Sequence, residues 1–254
     1  GPWAVTVDSQ IEGVHFLPGT PPATVARRLL AVNLSDLAAT GAVPSYAFLA
    51  LTAPRGFAHR RFFAALLAAC KEWDVCLAGG DLASHPTTLI ATLTLIGHKP
   101  PGGHWLRRDR ARSGDILWTG GTLGESAAGQ RLLSLGVRLH RGRLESLLDF
   151  PPQLRKIARR ALLRHLAPEP QLALGRWLGK RKRCAAMDIS DGLSRDLHRL
   201  TQESGVGAEI RSIALSGIAC RIYEVWVHVV NHSNRLSWSS NSIFRCERRR
   251  STDA

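Results

Sequence analysis

The chain has 254 residues, is 44% hydrophobic and carries a formal net charge of +14, so it can fill a sizeable core and attract anionic partners. No apolar run reaches membrane-spanning length and no signal peptide begins the chain, which predicts a soluble cytoplasmic protein without a membrane partner. The five cysteines contain no C-x-x-C pair, which argues against both a zinc site and a disulfide framework.

The first 98 residues predict strands and helices in the order β-α-β-α-β-β, as in one α/β layer pair. The predicted strands cover 4–8, 45–53, 75–78 and 87–97, and the predicted helices cover 22–40 and 57–73. Asp36 lies within the first, otherwise apolar helix, and a buried carboxylate without a partner costs on the order of several kcal/mol. It therefore needs a cation, a metal or backbone donors. Gly79-Gly80-Asp81 predicts a tight turn whose backbone can approach a phosphate.

The second half begins at a linker rich in proline and glycine, where the charge distribution also changes. Six basic and six acidic residues cancel over residues 1–98, so the remainder carries the whole +14. No aromatic residue is interleaved with the basic runs at stacking spacing, which weakens the case for nucleic acid as a partner. The predicted strands cover 116–120, 184–187 and a start at 208–210, and the predicted helices cover 125–135, 153–166, 169–179 and a segment from 193.

The acidic segment D-I-S-D-G carries the clearest chemical signal in the chain. Asp188 and Asp191 bracket Ser190, between a predicted strand and a predicted helix. By itself the pattern fits a polar helix cap. However, three other predicted elements each carry or adjoin one isolated aspartate, namely Asp8, Asp36 and Asp81. Carboxylates that converge from separate elements suit Mg²⁺, which usually holds phosphates.

Seven segments resemble, in order and spacing, those of the thiamine-monophosphate kinase family. They are Asp8–Phe16 (DSQIEGVHF), Ala31–Ala42 (AVNLSDLAATGA), Gly79–Asp81, Arg108–Asp115, Gly120–Gly129, Asp188–Leu193 (DISDGL) and Ser204–Ala208. The resemblance implies the two-domain α/β (α+β) fold of the aminoimidazole ribonucleotide synthetase-like superfamily. A ferredoxin-like N-terminal domain would cover 1–98, a linker 99–106, and an incomplete C-terminal α/β domain 107–216.

The resemblance also implies an ATP-dependent, Mg²⁺-assisted in-line phosphoryl transfer to thiamine monophosphate, giving thiamine diphosphate. No side chain would act as nucleophile, and two chains would form a homodimer through their N-terminal domains. The implied Mg²⁺ ligands are Thr6, Asp8, Asp36, Asp81, Asp188 and Asp191. The implied ATP contacts are Gly80, Asp81, Arg108 and Ser190, and the implied contact to thiamine monophosphate is His15.

The chain departs from the family pattern at several places. The family's G-D-D-A and G-G-E-D-Y-E-L segments have no counterpart, so we expect a chain that is truncated at both ends. Val7 replaces a frequent threonine, and Asp109-Arg110 replaces the usual Ser-Gly after the ATP-binding arginine. Residues 217–254 are predicted to be an unrelated, disordered tail, which a frame shift near 216 would explain.

Three alternatives remain open from the sequence. The first is an inactive remnant that only binds nucleotide or dimerises, and the second is a basic module that binds nucleic acid. The third is another kinase or synthetase of the same superfamily.

Overall fold

The computed structural model describes residues 3–140, 142–146, 150–210 and 227–230. Its helices are α1 (Pro22–Thr40), α2 (His59–Glu72), α3 (Glu125–Ser134), α4 (Pro152–Leu166), α5 (Leu172–Gly179) and α6 (Leu193–Ser204). Its strands are β1 (Trp3–Ile11), β2 (Val43–Ala53), β3 (Cys76–Ser84), β4 (Ile90–His98), β5 (Arg138–His140), β6 (Arg143–Glu145), β7 (Gly207–Ile210) and β8 (Val227–Val230). The β-α-β-α-β-β order predicted for the first 98 residues is confirmed. Within these ranges no helix is long and apolar enough to cross a membrane.

The first six elements form a two-layer unit around the main core. Four strands form a sheet in the order β1-β4-β2-β3, in which β2 and β3 are parallel and the other pairs antiparallel. Because side chains alternate across a strand, β4 directs Ala91, Leu93 and Leu95 to the dry side, where α1 and α2 pack. Thr6 and Asp8 share this side, since they pair with Leu95 and Leu93.

The opposite face of the sheet is apolar and exposed. Val5, Ile96 and Tyr46 form one row across three strands, and Val7, Thr94 and Phe48 form the next. Val5 and Val7 are 61% and 58% exposed, and Trp3 extends the same face at the strand end. A contiguous exposed apolar patch of this kind marks an interaction surface.

The predicted tight turn at Gly79-Gly80-Asp81 is wrong, because β3 continues through it to Ser84. A Cβ added at Gly80 would lie 1.9 Å from the carbonyl oxygen of Leu49 on β2. The pairing of β2 with β3 also shifts register between Ala47 and Phe48. Glycine is therefore required here by close approach of two strands, and not by a reversal of the chain.

Two strands predicted in the second half do not form. Of residues 184–187, only Ala185 makes an isolated bridge, to Arg107, so no ladder of backbone hydrogen bonds develops. Residues 116–120 belong to no named strand, and Ile116 and Trp118 stay exposed. The helices predicted there are confirmed, and a smaller core lies around Leu133, Val137 and Leu162.

At the end of the chain, β7 pairs in antiparallel fashion with β8. Apart from Val227–Val230, the tail predicted over 217–254 lies outside the described residues.

Helices α1 and α5 are in direct backbone contact. A Cβ at Gly175 of α5 would lie 2.1 Å from the carbonyl oxygen of Ala38 on α1. Gly41, in the left-handed conformation with φ 74°, ends α1 beside the carbonyl of Gly175. Only glycine at position 175 permits so short a distance between the two backbones, so α1 and α5 pack there without intervening side chains.

Candidate functional site

Three carboxyl groups from separate elements converge beside the edge of the sheet. Asp8 comes from β1, Asp36 from α1, and Asp188 from the acidic segment before α6. The Thr6 hydroxyl donates a hydrogen bond to Asp36 Oδ2, and Asp36 interacts electrostatically with both Asp8 and Asp188. The structure thus brings together four of the residues predicted to hold Mg²⁺.

These carboxyl groups disfavour one another's ionisation. Burial raises the pKa of Asp8, and the charge of Asp188 adds to the effect. Burial also raises the pKa of Asp36, with a contribution from Asp8. At Asp188, burial and then the charge of Asp36 raise the pKa to about 6. Mutual repulsion between half-buried carboxylates is relieved by a cation placed between them.

Arg108 faces the same cluster. Its positive charge lowers the pKa of both Asp36 and Asp188, against the larger effect of burial. A planar guanidinium also suits phosphate oxygens, which it can bind through two parallel hydrogen bonds. The Arg108 backbone is fixed by Ser204, whose hydroxyl donates a 2.6 Å hydrogen bond to its carbonyl oxygen.

Asp191 and Ser190 lie in the turn before α6, which Asp196 organises. The backbone N–H groups of Ser190 and Asp191 donate to Asp196 Oδ2 over 3.0 and 2.9 Å. The Asp191 carboxylate itself forms a 2.7 Å ion pair with Arg199. The sequence reasoning missed Asp196, although an acid in the first turn of a helix that reaches back to preceding N–H groups is a known capping signal.

His15 lies in the loop after β1, and its ring is oriented by the backbone. The Ile11 N–H donates to His15 Nδ1 over 3.1 Å, and Arg28 donates to the His15 carbonyl oxygen. Burial, followed by the charge of Arg28, lowers the pKa of His15. The neutral ring therefore carries its proton on Nε2, which can donate to a ligand. Arg28 was not anticipated from the sequence.

Asp81 is exposed on β3, and no hydrogen bond or ion pair joins it to Asp8, Asp36 or Asp188 in the described residues. Over the same residues, no group of three or more His, Cys, Asp and Glu side chains is arranged to hold one metal ion. The clustered oxygens fit Mg²⁺ in kind, because Mg²⁺ takes one or two carboxylates and completes its shell with water and phosphates.

Two clefts lie along residues 107–112, and only the second has an excess of basic residues. The larger has a volume of about 340 Å³ and is lined by Arg107, Arg108, Asp109 and Glu203. The other has a volume of about 320 Å³ and is lined by Asp109, Arg110, Ala111, Arg112, Lys182 and Arg183. The second cleft carries four basic side chains and one acidic one, which suits an anionic ligand.

Comparison with known proteins identifies the family. Residues 1–98 match the N-terminal domain model of AIR synthase related proteins. The chain is 38% identical over 214 residues to the thiamine-monophosphate kinase of Salmonella typhimurium, covering 84% of this chain and 61% of that protein. It is 33% identical over 243 residues to the thiamine-monophosphate kinase of Buchnera aphidicola subsp. Schizaphis graminum, covering 94% of this chain and 68% of that protein. The chain belongs to the thiamine-monophosphate kinase family.

Solved structures of thiamine-monophosphate kinases agree with this membership. The enzyme from Stenotrophomonas maltophilia superposes with a TM-score of 0.72 at 35% identity, over 85% of this chain and 66% of that one. AaThiL complexed with AMPPCP and TMP gives a TM-score of 0.73 at 28% identity, over 89% and 75% of the two chains. The predicted aminoimidazole ribonucleotide synthetase-like fold is thereby confirmed.

Within this thiamine-monophosphate kinase family member, the predicted site residues fall into two groups. Thr6, Asp8, Asp36, Asp188 and Arg108 are linked to one another by a hydrogen bond or by electrostatic interaction. No described contact joins Asp81, Gly80, Ser190, Asp191 or His15 to this group, and the roles of all ten residues stay predictions. The chain spans about 60% of the length of the thiamine-monophosphate kinases of Salmonella typhimurium and Haemophilus influenzae.

Proposed function

We propose that this chain binds ATP and thiamine monophosphate and transfers the γ-phosphoryl group of ATP to the phosphate of thiamine monophosphate, giving thiamine diphosphate. The observation that carries the proposal is the convergence of Asp8, Asp36 and Asp188 opposite Arg108. A family member bound to AMPPCP and TMP supports the same pair of ligands.

The site's chemistry suits a reaction between two phosphates, where charge repulsion is the main obstacle. Mg²⁺ would be held by the carboxylates of Asp8, Asp36 and Asp188 and by the Thr6 hydroxyl. The family pattern would add Asp81 and Asp191 as further Mg²⁺ ligands. Bound Mg²⁺ supplies positive charge to the phosphate oxygens. Arg108 binds a phosphate of ATP and positions it, which requires no nucleophile from the protein.

Three further residues complete the proposed ligand contacts. The neutral His15 ring donates from Nε2 to thiamine monophosphate, because its Nδ1 already accepts the Ile11 N–H. Gly80 and Ser190 contact ATP, and Gly80 does so through its backbone because it has no side chain.

The exposed apolar sheet face is proposed to pair two chains into a homodimer through the N-terminal region, 1–98. Val5→Asp would place a charge at the centre of this face and shift the chain towards monomer in size-exclusion chromatography with light scattering. Val14→Asp is the matched control, because Val14 is 69% exposed in the loop after β1. A dimer that persists in Val5→Asp contradicts the pairing. The proposal also includes a cytoplasmic location for this homodimer.

Phosphorus NMR of the purified chain with Mg²⁺, ATP and thiamine monophosphate tests the reaction directly. The expected result is the appearance of thiamine diphosphate signals, lost in Asp36→Asn and retained in Asp74→Asn. Asp74 is an exposed residue with φ 55°, a conformation that asparagine tolerates. Mg²⁺-dependent ATP binding without product assigns the chain to the inactive nucleotide-binding alternative.

A further inference from the structure

Helix α6 makes a hydrogen-bonded contact near each of its ends with a segment of the candidate site. At its first turn, Asp196 is 3% exposed and its Oδ2 accepts the N–H groups of both Ser190 and Asp191. One carboxylate oxygen therefore fixes two successive peptide groups of the acidic turn. Hydrogen bonds to a charged acceptor are stronger than neutral ones, so the turn is held in one conformation.

Arg199 balances the buried charge of Asp196. Its Nη1 lies 3.1 Å from Asp196 Oδ1 and 2.7 Å from Asp191 Oδ2. Both oxygens of Asp196 are thus engaged, one by the turn and one by the guanidinium. The Asp191 side chain is tied to the same helix as its backbone, which makes the turn and α6 one unit.

At the other end of α6, the Ser204 hydroxyl both donates and accepts. It donates to the Arg108 carbonyl oxygen over 2.6 Å and accepts the Ala111 N–H over 3.0 Å. Arg108 lies 96 residues before Ser204 in the chain. Asp196 and Ser204 are eight positions apart, which is about 12 Å along a helix at 1.5 Å per residue.

We propose that α6 is the positioning element of the site, and that Asp196 and Ser204 are positioning residues that hold the acidic turn and the Arg108 segment at a fixed separation. The proposal rests on the proposed function for the nature of the ligand, whereas the two clamps are independent of it. Asp196 acts through Ser190 and Asp191, and Ser204 acts through Arg108. Neither touches the phosphates.

Amide hydrogen exchange in the ¹⁵N-labelled full chain, without nucleotide, tests each clamp. Asp196→Leu keeps the branched shape of the side chain but accepts no hydrogen bond, and should speed exchange at Ser190 and Asp191 roughly tenfold or more. Asp196→Asn retains an accepting oxygen and should give an intermediate rate. Ser204→Ala should speed exchange at Ala111 alone.

Calorimetric titration with AMPPCP and Mg²⁺ then connects the clamps to the ligand. Asp196→Leu and Ser204→Ala should each weaken binding roughly tenfold, as loss of about one hydrogen bond implies. Glu125→Leu, another buried acid with arginine partners, and Ser194→Ala, an exposed serine on α6, are the matched controls. Neither control should change exchange at Ser190, Asp191 or Ala111.

Unchanged exchange at Ser190 and Asp191 in both Asp196 variants overturns the first clamp, and faster exchange with unchanged binding overturns its positioning role. An equal increase in Glu125→Leu would also overturn it, because it would show general loosening. If Asp196→Leu does not fold, the Asp196→Asn and Ser204→Ala variants decide the question. If the unaltered chain binds no AMPPCP, the proposed function fails, while the exchange rates still test the clamps.

Discussion

Replacing Asp188 by asparagine should stabilise the metal-free protein at neutral pH. The Asp188 carboxyl has a folded-state pKa of about 6, compared with an ordinary value of 3.8. At about 1.36 kcal/mol per pKa unit, ionised Asp188 lowers the free energy of unfolding by about 3 kcal/mol above pH 6. Asparagine has nearly the same shape without the charge, so Asp188→Asn should recover up to about that amount.

The sign of the pH dependence follows from proton uptake. Between pH 3.8 and 6 the folded protein holds a proton on Asp188 that the unfolded chain has released, so stability falls as pH rises through this window. Below pH 3.8 both states are protonated, and the advantage of Asp188→Asn should disappear.

Thermal unfolding in EDTA at a series of pH values measures the effect. At pH 7.5 the variant should melt roughly 6 to 12 °C above the unaltered chain, since 1 kcal/mol shifts the Tm of a chain of this size by roughly 2 to 4 °C. Asp74→Asn, on an exposed residue, should change stability by less than about 0.5 kcal/mol. Adding Mg²⁺ with AMPPCP should raise the Tm of the unaltered chain but not that of Asp188→Asn. Parallel stability curves for the two proteins across pH would refute the reasoning.

Three other predictions concern packing and buried charge. Gly80→Ala should lower the free energy of unfolding by about 2 kcal/mol or more in urea, because its Cβ would meet a β2 carbonyl at 1.9 Å; Gly79→Ala, whose nearest contact is at 3.6 Å, should be tolerated. Glu125→Gln should cost about 1 to 3 kcal/mol, measured in the same way, since it removes the buried negative charge that pairs with Arg160 at 2.7 Å. Burial lowers the pKa of His165 to about 4, so in this window the unfolded chain binds a proton that the folded chain does not. The free energy of unfolding should therefore decrease as the pH is lowered from 6.5 to 4, and His165→Gln should reduce this decrease. A similar loss of stability in Gly80→Ala and Gly79→Ala would contradict the first expectation. An unchanged pH dependence of stability in His165→Gln would contradict the last.

Local signals in the sequence were sufficient to predict the boundaries of α1. Proline at its first position suits the helix start, and Gly41 provides the left-handed residue that ends it. The periodicity of leucine and alanine between them predicted its buried face. The same reasoning placed Asp36 on this helix, beside apolar neighbours, and identified it as a residue in need of a partner.

Other features depend on contacts between distant segments, which local signals do not contain. Gly80 was assigned to a turn because the approach of Leu49 from another strand is not visible in a G-G-D pattern. Ser204 was missed as a contact of Arg108, since the two are separated by 96 positions. The strand predicted at 184–187 had suitable residues but found only one bridging partner, at Arg107.

The direct backbone contact between α1 and α5 at Gly175 limits how the two helices can move. Because the Gly175 backbone touches that of Ala38, no side chain can change rotamer to let one helix slide or tilt against the other. The chain from α5 reaches Asp188 within nine residues, while Asp36 lies two residues before Ala38. Asp36 is therefore anchored directly to this stiff joint, whereas the irregular segment 180–187 leaves Asp188 to be positioned by its own contacts.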